Sequence, residues 1–215
     1  MTNKTNKDQQ FRGRWLLACG LGIPIGFALG QVISFGIGFT TGNAKVWAMG
    51  FVIGPGMTGM VLGLTQWLIL RGQILSARRW LVVTSVSWAA GHATTVLIGN
   101  VVYGVVNLAL WQTPHLAAVW TISGLVSGLV SGAIGGVWVG LAQWWVLRER
   151  GQTSHHWILS TSLAWAIGHA IINVVNFTQL GIGGSILSWV TYGLVYGTVT
   201  RRQIEPSSSL SLIKY

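Results

Sequence analysis

Gly63-Leu64-Thr65-Gln66-Trp67-Leu68-Ile69-Leu70-Arg71 is followed by Trp80 and then by Trp88-Ala89-Ala90-Gly91-His92-Ala93. The block returns as Gly140-Leu141-Ala142-Gln143-Trp144-Trp145-Val146-Leu147-Arg148, Trp157 and Trp165-Ala166-Ile167-Gly168-His169-Ala170. Matched positions lie 77 apart (71 to 148, 80 to 157, 92 to 169), with no gap. A gapless match of this length reads as a duplicated structural unit. The rest of the chain is organised around it.

The apolar runs that carry the block are long and almost free of charge. Of 215 residues, 51% are hydrophobic and only 7% charged, against about 25% charged in a soluble domain. Each run approaches or exceeds the ~20 residues that cross a bilayer as a helix. The alternating ten-residue segments of a membrane β-barrel are not seen. The class expected is therefore all-α and integral to a membrane. The start, Met1 to Gln10, is polar, and the first apolar run is too long for a signal-peptide core. A single cysteine, Cys19, excludes an intrachain disulfide and a cysteine-based metal cluster.

Six helices are expected: Arg14 to Thr40, Ala44 to Leu70, Arg79 to Val106, Ala117 to Leu147, Trp157 to Phe177 and Gly184 to Val199. Residues 1–13 and 203–215 read as polar tails flanking one transmembrane domain over 14–202. Pro24 and Pro55 fall inside helices, where a proline removes a backbone donor and kinks or breaks the helix. Arg14-Trp15, Arg79-Trp80 and His156-Trp157 each open a helix. Gly193 and Arg201 stand in the register of Gly63 and Arg71, so a third, weaker copy exists. The reading is three helical hairpins, 14–71, 79–148 and 156–201, arranged with approximate threefold pseudo-symmetry. In that register Phe27 takes the place of His92 and His169, which argues against a threefold metal site.

The net charge of +10 reads as topology rather than nucleic-acid binding. Lys4, Lys7, Arg12, Arg14, Arg71, Arg78, Arg79, Arg148, Arg150, Arg201, Arg202 and Lys214 fall on one side, and Lys45 on the other. The positive-inside rule then puts both termini in the cytoplasm. Trp15, Trp67, Trp80, Trp144, Trp145 and Trp157 lie beside the basic ends, where an interfacial aromatic belt is expected. Trp47, Trp111 and Trp120 would form the outer belt. Gln66, Trp67, Arg71, Arg78, Arg79, Gln143, Trp144 and Arg148 are assigned to the lipid-headgroup interface, with the glutamines capping helix ends and the arginines reaching phosphate. Gly124, Gly128, Gly132, Gly136 and Gly140 recur every four residues, as do Gly50, Gly54, Gly59 and Gly63 approximately. In lipid, close backbone approach at small residues carries helix packing, so neighbours should cross along these stripes.

His92 and His169 are the candidate chemical residues. Each lies 13 residues into its helix from Arg79 or His156, about 20 Å from the basic end. An ionisable group at that depth is by default a functional candidate. Facing one another, the two imidazoles suit a b-type haem, or each could hold a chlorophyll magnesium. The plainer reading is that each hydrogen-bonds a Ser, Thr or Asn of a neighbouring helix. Asn173 and Asn176 continue the face of His169, and Ser85, Trp88 and Thr95 share the face of His92. These stripes read as interhelical hydrogen bonding or as the lining of a solute path.

Catalytic chemistry has little to draw on. Asp8, Glu149 and Glu205 are the only acids, all outside the apolar runs. Zinc-protease, Walker and nucleophile-elbow motifs do not occur. No enzyme and no metal ligand set is expected.

Through Gln66–Arg71 and Gln143–Arg148, both of the form Gln-Trp-x-x-Leu-Arg, residues 60–170 resemble uncharacterised polytopic membrane proteins of cyanobacteria and related bacteria. The resemblance implies a bacterial plasma or thylakoid membrane and favours a pigment, but carries over no reaction. The function expected first is a non-enzymatic scaffold or accessory subunit, with the bilayer and other membrane subunits as partners and no nucleic acid. Haem or chlorophyll binding at His92 and His169 comes second, and a small-solute channel or carrier along the axis third.

Overall fold

The computed structural model describes residues 2–41, 44–71, 77–112, 115–148, 155–177 and 181–201. Among them are six helices and no strand: α1 (Thr2–Thr41), α2 (Ala44–Leu70), α3 (Ala77–Leu110), α4 (Leu116–Leu147), α5 (His156–Phe177) and α6 (Gly181–Arg201). Helices α1 to α5 each contain a stretch long and apolar enough to cross a membrane. Helix α6 falls below that threshold, and its sequence is interrupted by Gly, Ser, Thr and Tyr.

The bounds differ from expectation at two places. Residues 2–13 belong to α1 rather than to a loose tail, and Phe11 is buried with its ring 6.3 Å from that of Trp15. Helix α3 runs to Leu110, so the connection expected from residue 107 shrinks to a few residues. Helices α1 and α2 continue through Pro24 and Pro55 without a break. The tail at 203–215 lies outside the described residues, as do the side chains of Lys45 and Trp47.

Each helix packs on its neighbours in the chain, and α6 packs back on α1, which closes a ring. Adjacent helices run antiparallel: Gly140 meets Ile158, Gly136 meets Ser162, Gly132 meets Ala166 and Gly128 meets Ala170. The α4 glycine stripe therefore lies against α5. A Cβ at any of these four positions would stand 2.6–2.9 Å from α5 atoms. On α2, a Cβ at Gly59 would stand 2.6 Å from Trp88 Cβ and one at Gly63 3.2 Å from Leu81 and Thr84 of α3, while Gly54 faces Gly30 of α1. The stripes act as expected, because only a hydrogen lets the backbones approach this closely.

The ring is apolar outside and polar or aromatic inside. Leu17, Val32, Val82, Val86, Leu97, Val101, Val105, Leu159 and Leu187 are each more than 60% exposed, far beyond the patch a soluble monomer presents. Inside, Gln66, Thr84, Ser123, Ser131, Gln143, Thr161 and Thr200 are fully buried.

Candidate functional site

The half of the interior beside Arg71, Arg79, Arg148 and Arg201 is solid. Trp15, Trp80 and Trp157 lie at this end of α1, α3 and α5 and are fully or almost fully buried. They were expected in an interfacial belt. Instead they point into the ring, Trp80 and Trp157 at 5.9 Å edge-to-face. Gln66 and Gln143, expected near the headgroup level, are also fully buried. Gln66 Oε1 accepts from Trp80 Nε1 at 3.1 Å, and its Nε2 donates to Cys19 Sγ at 3.5 Å. Gln143 Nε2 donates to Thr84 Oγ1 at 3.1 Å, and its Oε1 accepts from Tyr196 OH at 2.9 Å. Trp15 Nε1 donates to Thr200 Oγ1 at 3.1 Å. Each glutamine thus ties three helices together. The price of burying its amide is met by hydrogen bonds that are worth more in a low-dielectric interior.

The remaining members of the expected interface set are placed differently. Arg71, Arg78, Arg79 and Arg148 are exposed, and Trp67 and Trp144 half-buried. Arg148 lies over the Trp144 and Trp145 rings at 5.9 and 5.8 Å, a cation–π arrangement.

Above this level a layer of aromatic rings closes the axis. Trp88 and Trp165 meet at 4.9 Å, Trp88 and Tyr192 at 6.0 Å, and Trp88 and Tyr196 at 6.2 Å. Trp88 Nε1, Trp165 Nε1 and Tyr192 OH are buried without a hydrogen-bond partner, while Tyr196 OH is tied to Gln143.

Beyond the aromatic layer the ring opens into a cavity of about 690 Å³, within the range of small-molecule sites. His92 and His169 lie at its floor, with ring centroids 5.7 Å apart and planes tilted by 43°. His169 also touches Trp165 at 5.2 Å and Tyr192 at 5.6 Å. Neither imidazole is hydrogen-bonded to another described residue, so the expected Ser, Thr or Asn partner on a neighbouring helix is not what holds them. Phe27 lines the same cavity, stacked on Trp189 at 4.0 Å.

The walls carry amides and hydroxyls: Gln31, Asn100, Asn173 and Asn176, with Thr95, Ser127 and Ser131. Thr95 Oγ1 donates to Gly91 O at 2.9 Å and Ser127 Oγ to Gly99 O at 2.8 Å. Asn173 Nδ2 donates to Gly124 O at 3.2 Å, which leaves its Oδ1 as an acceptor. The lining reaches Ser34, Tyr103 and Asn176 near the helix ends remote from the arginines. Asn100 and Asn176, which line the cavity there, are exposed.

Of the polar residues singled out in the sequence, Thr95, Asn173 and Asn176 join the histidines in the cavity. Ser85 does not. Its Oγ donates to Leu81 O at 2.8 Å, and its backbone packs on Gly59 of α2. Reading from sequence missed Gln31, Asn100, Ser127 and Ser131. The two serines stand four apart beside the glycine stripe, a signal that was present.

The pair can be tested against the pigments expected for it. With a metal–nitrogen bond of about 2.1 Å and a centroid about 1.1 Å behind its nitrogen, trans imidazoles on one ion have centroids about 6.4 Å apart. The observed 5.7 Å is shorter, and a haem plane would also have to stand between rings that Trp165 and Tyr192 already flank.

No family model, no curated protein and no solved structure matches this chain.

Proposed function

We propose that this protein is a non-enzymatic, membrane-embedded binding protein whose small polar ligand enters the ring axis from the side away from the basic ends. The observation that carries the reading is the pair of unpartnered histidines at the floor of a polar cavity. The aliphatic exterior and the polar interior support residence in a bilayer, where no water competes for the outer surface. The clustering of arginines at one end supports cytoplasmic termini and an opening on the opposite face. The approximate threefold plan draws support from Trp15, Trp80 and Trp157, which are buried alike, and from Phe27, His92 and His169, which line one cavity.

This reading joins two expectations, ligand binding at the histidines and a solute site on the axis. It displaces the accessory-subunit reading because the distinctive chemistry faces inward. The aromatic layer makes the site a blind vestibule, as in a binding protein or one state of a carrier. Native mass spectrometry of the protein released from detergent tests it. Wild-type protein is expected to carry a small-molecule adduct that an Asn173→Leu, Asn176→Leu variant loses. An adduct of unchanged abundance in that variant, or none in either protein, would overturn the reading.

A further inference from the structure

We propose that His92 and His169 are the protein's half of a labile site for a borderline divalent transition-metal ion of the zinc, cobalt, nickel and copper class. This rests on the vestibule reading and names its ligand chemistry.

Geometry comes first. Two imidazoles on one ion have centroids about 5.2 Å apart at a tetrahedral angle and about 6.4 Å apart when trans. The observed 5.7 Å lies between these limits and corresponds to a nitrogen–metal–nitrogen angle of about 126° on the same bond lengths. The spacing of the two rings is therefore within the range of a bent two-imidazole site. The chemistry agrees, because neutral imidazole suits zinc, copper and nickel, whereas magnesium and calcium select oxygen cages. Both rings are free for coordination, since neither is hydrogen-bonded to another described residue.

A third donor stands in register. Asn173 follows His169 by four residues on α5, the i, i+4 spacing that brings two side chains of one helical face to a single ion. Its Nδ2 is engaged by Gly124 O, which directs Oδ1 elsewhere as an acceptor. No carboxylate lines the cavity, so the protein does not neutralise the ion. Structural zinc sites are closed by four protein ligands. A site of two histidines and one amide keeps open positions for water or an accompanying anion and exchanges its ion readily. That is the behaviour of a capture or transfer site.

The chain has five histidines. His155 and His156 form an exposed pair at 4.9 Å that would bind metal adventitiously. The test therefore uses tag-free protein in detergent with His115, His155 and His156 replaced by alanine, which leaves only the two in question. Cobalt(II) is expected to give a visible d–d band saturating at one ion per chain. Pulsed EPR of the copper(II) form is expected to show modulation from two coordinated imidazoles. In His92→Gln or His169→Gln that signature should fall to one imidazole and cobalt affinity by about tenfold or more. Asn173→Cys, labelled in native vesicles by an impermeant maleimide from the face remote from the arginines, reports the vestibule separately. Labelling without a cobalt band, or a copper signal with one imidazole or none in the two-histidine protein, overturns the metal site and leaves the vestibule standing. Absence of labelling overturns the vestibule itself. If a glutamine variant fails to fold, the imidazole count in the two-histidine protein alone decides.

Discussion

Replacing Gly136 with alanine tests whether backbone contact between α4 and α5 holds the ring together. The added methyl would stand 2.7 Å from Ser162 Cα and 2.7 Å from Trp165 Cβ. Neither atom is the free end of a flexible side chain, so rotation of a side chain cannot relieve the clash. Restoring an ordinary 3.4 Å contact moves α5 by about 0.7 Å, and a close-packed interior resists a shift of that size. Overpacking of this kind costs about 1–3 kcal/mol. Alanine also favours the helix over glycine by up to about 1 kcal/mol, which would mask part of the loss. Gly104→Ala supplies the correction, because a Cβ there meets nothing within 4 Å. The difference in unfolding free energy between the two variants, from reversible SDS titration in mixed micelles, isolates the packing contribution. Gly136→Ala is expected to be less stable than Gly104→Ala by about 1–3 kcal/mol. Equal stability of the two variants would refute the view that the stripe carries the α4–α5 contact.

The buried glutamines give a second test. Gln143→Leu removes the hydrogen bonds to Thr84 and Tyr196 and should cost about 1–3 kcal/mol. The double variant Gln143→Leu, Tyr196→Phe should recover part of that loss in the same titration. The aromatic layer predicts that proteoliposomes of the wild type show glycerol flux no faster than empty vesicles by light scattering. The Trp88→Ala, Trp165→Ala variant should leak, because its layer has lost the rings that meet at 4.9 Å. The short imidazole spacing predicts that purified protein shows neither a Soret nor a red absorption band. Either band would reopen the pigment assignment. Arg71→Cys and Arg148→Cys should react with impermeant maleimide from the same face of native vesicles, and reaction from opposite faces would break the hairpin plan.

The fold was legible because its signals are local and periodic. Apolar runs set the helices, and glycines at spacing four marked the faces of α4 and α2 that their neighbours would cross. The 77-residue repeat placed His92 and His169 at one depth, and the cavity holds both. What the sequence could not show was which way an amphipathic side chain turns. Trp15, Trp80 and Trp157 sit next to basic residues, where a tryptophan facing lipid and one facing the axis have the same sequence neighbours. Gln66 and Gln143 were misplaced for the same reason. Their partners, Trp80, Cys19, Thr84 and Tyr196, are brought near only by the closed ring. Tyr196 stands three residues after Gly193, as Gln66 and Gln143 follow Gly63 and Gly140, so the third copy keeps a hydrogen-bonding group with a different side chain. Ser85 shares the helical face of His92, but its hydroxyl is satisfied within α3 by Leu81 O and its backbone meets Gly59 of α2.

The central claim is a vestibule that ends at the aromatic layer, and two positions on α5 bracket that boundary. Asn173 lines the cavity beyond His169. Thr161 lies eight residues before His169, about 12 Å toward the basic end, and is fully buried beneath the layer. Single cysteines at these positions, with buried Cys19 as the background control, can be labelled in native vesicles with a small impermeant thiol reagent. The account predicts that Asn173→Cys reacts from the face remote from the arginines and that Thr161→Cys reacts from neither face. Reaction of both from that face, or of Asn173→Cys only from the basic side, would contradict it.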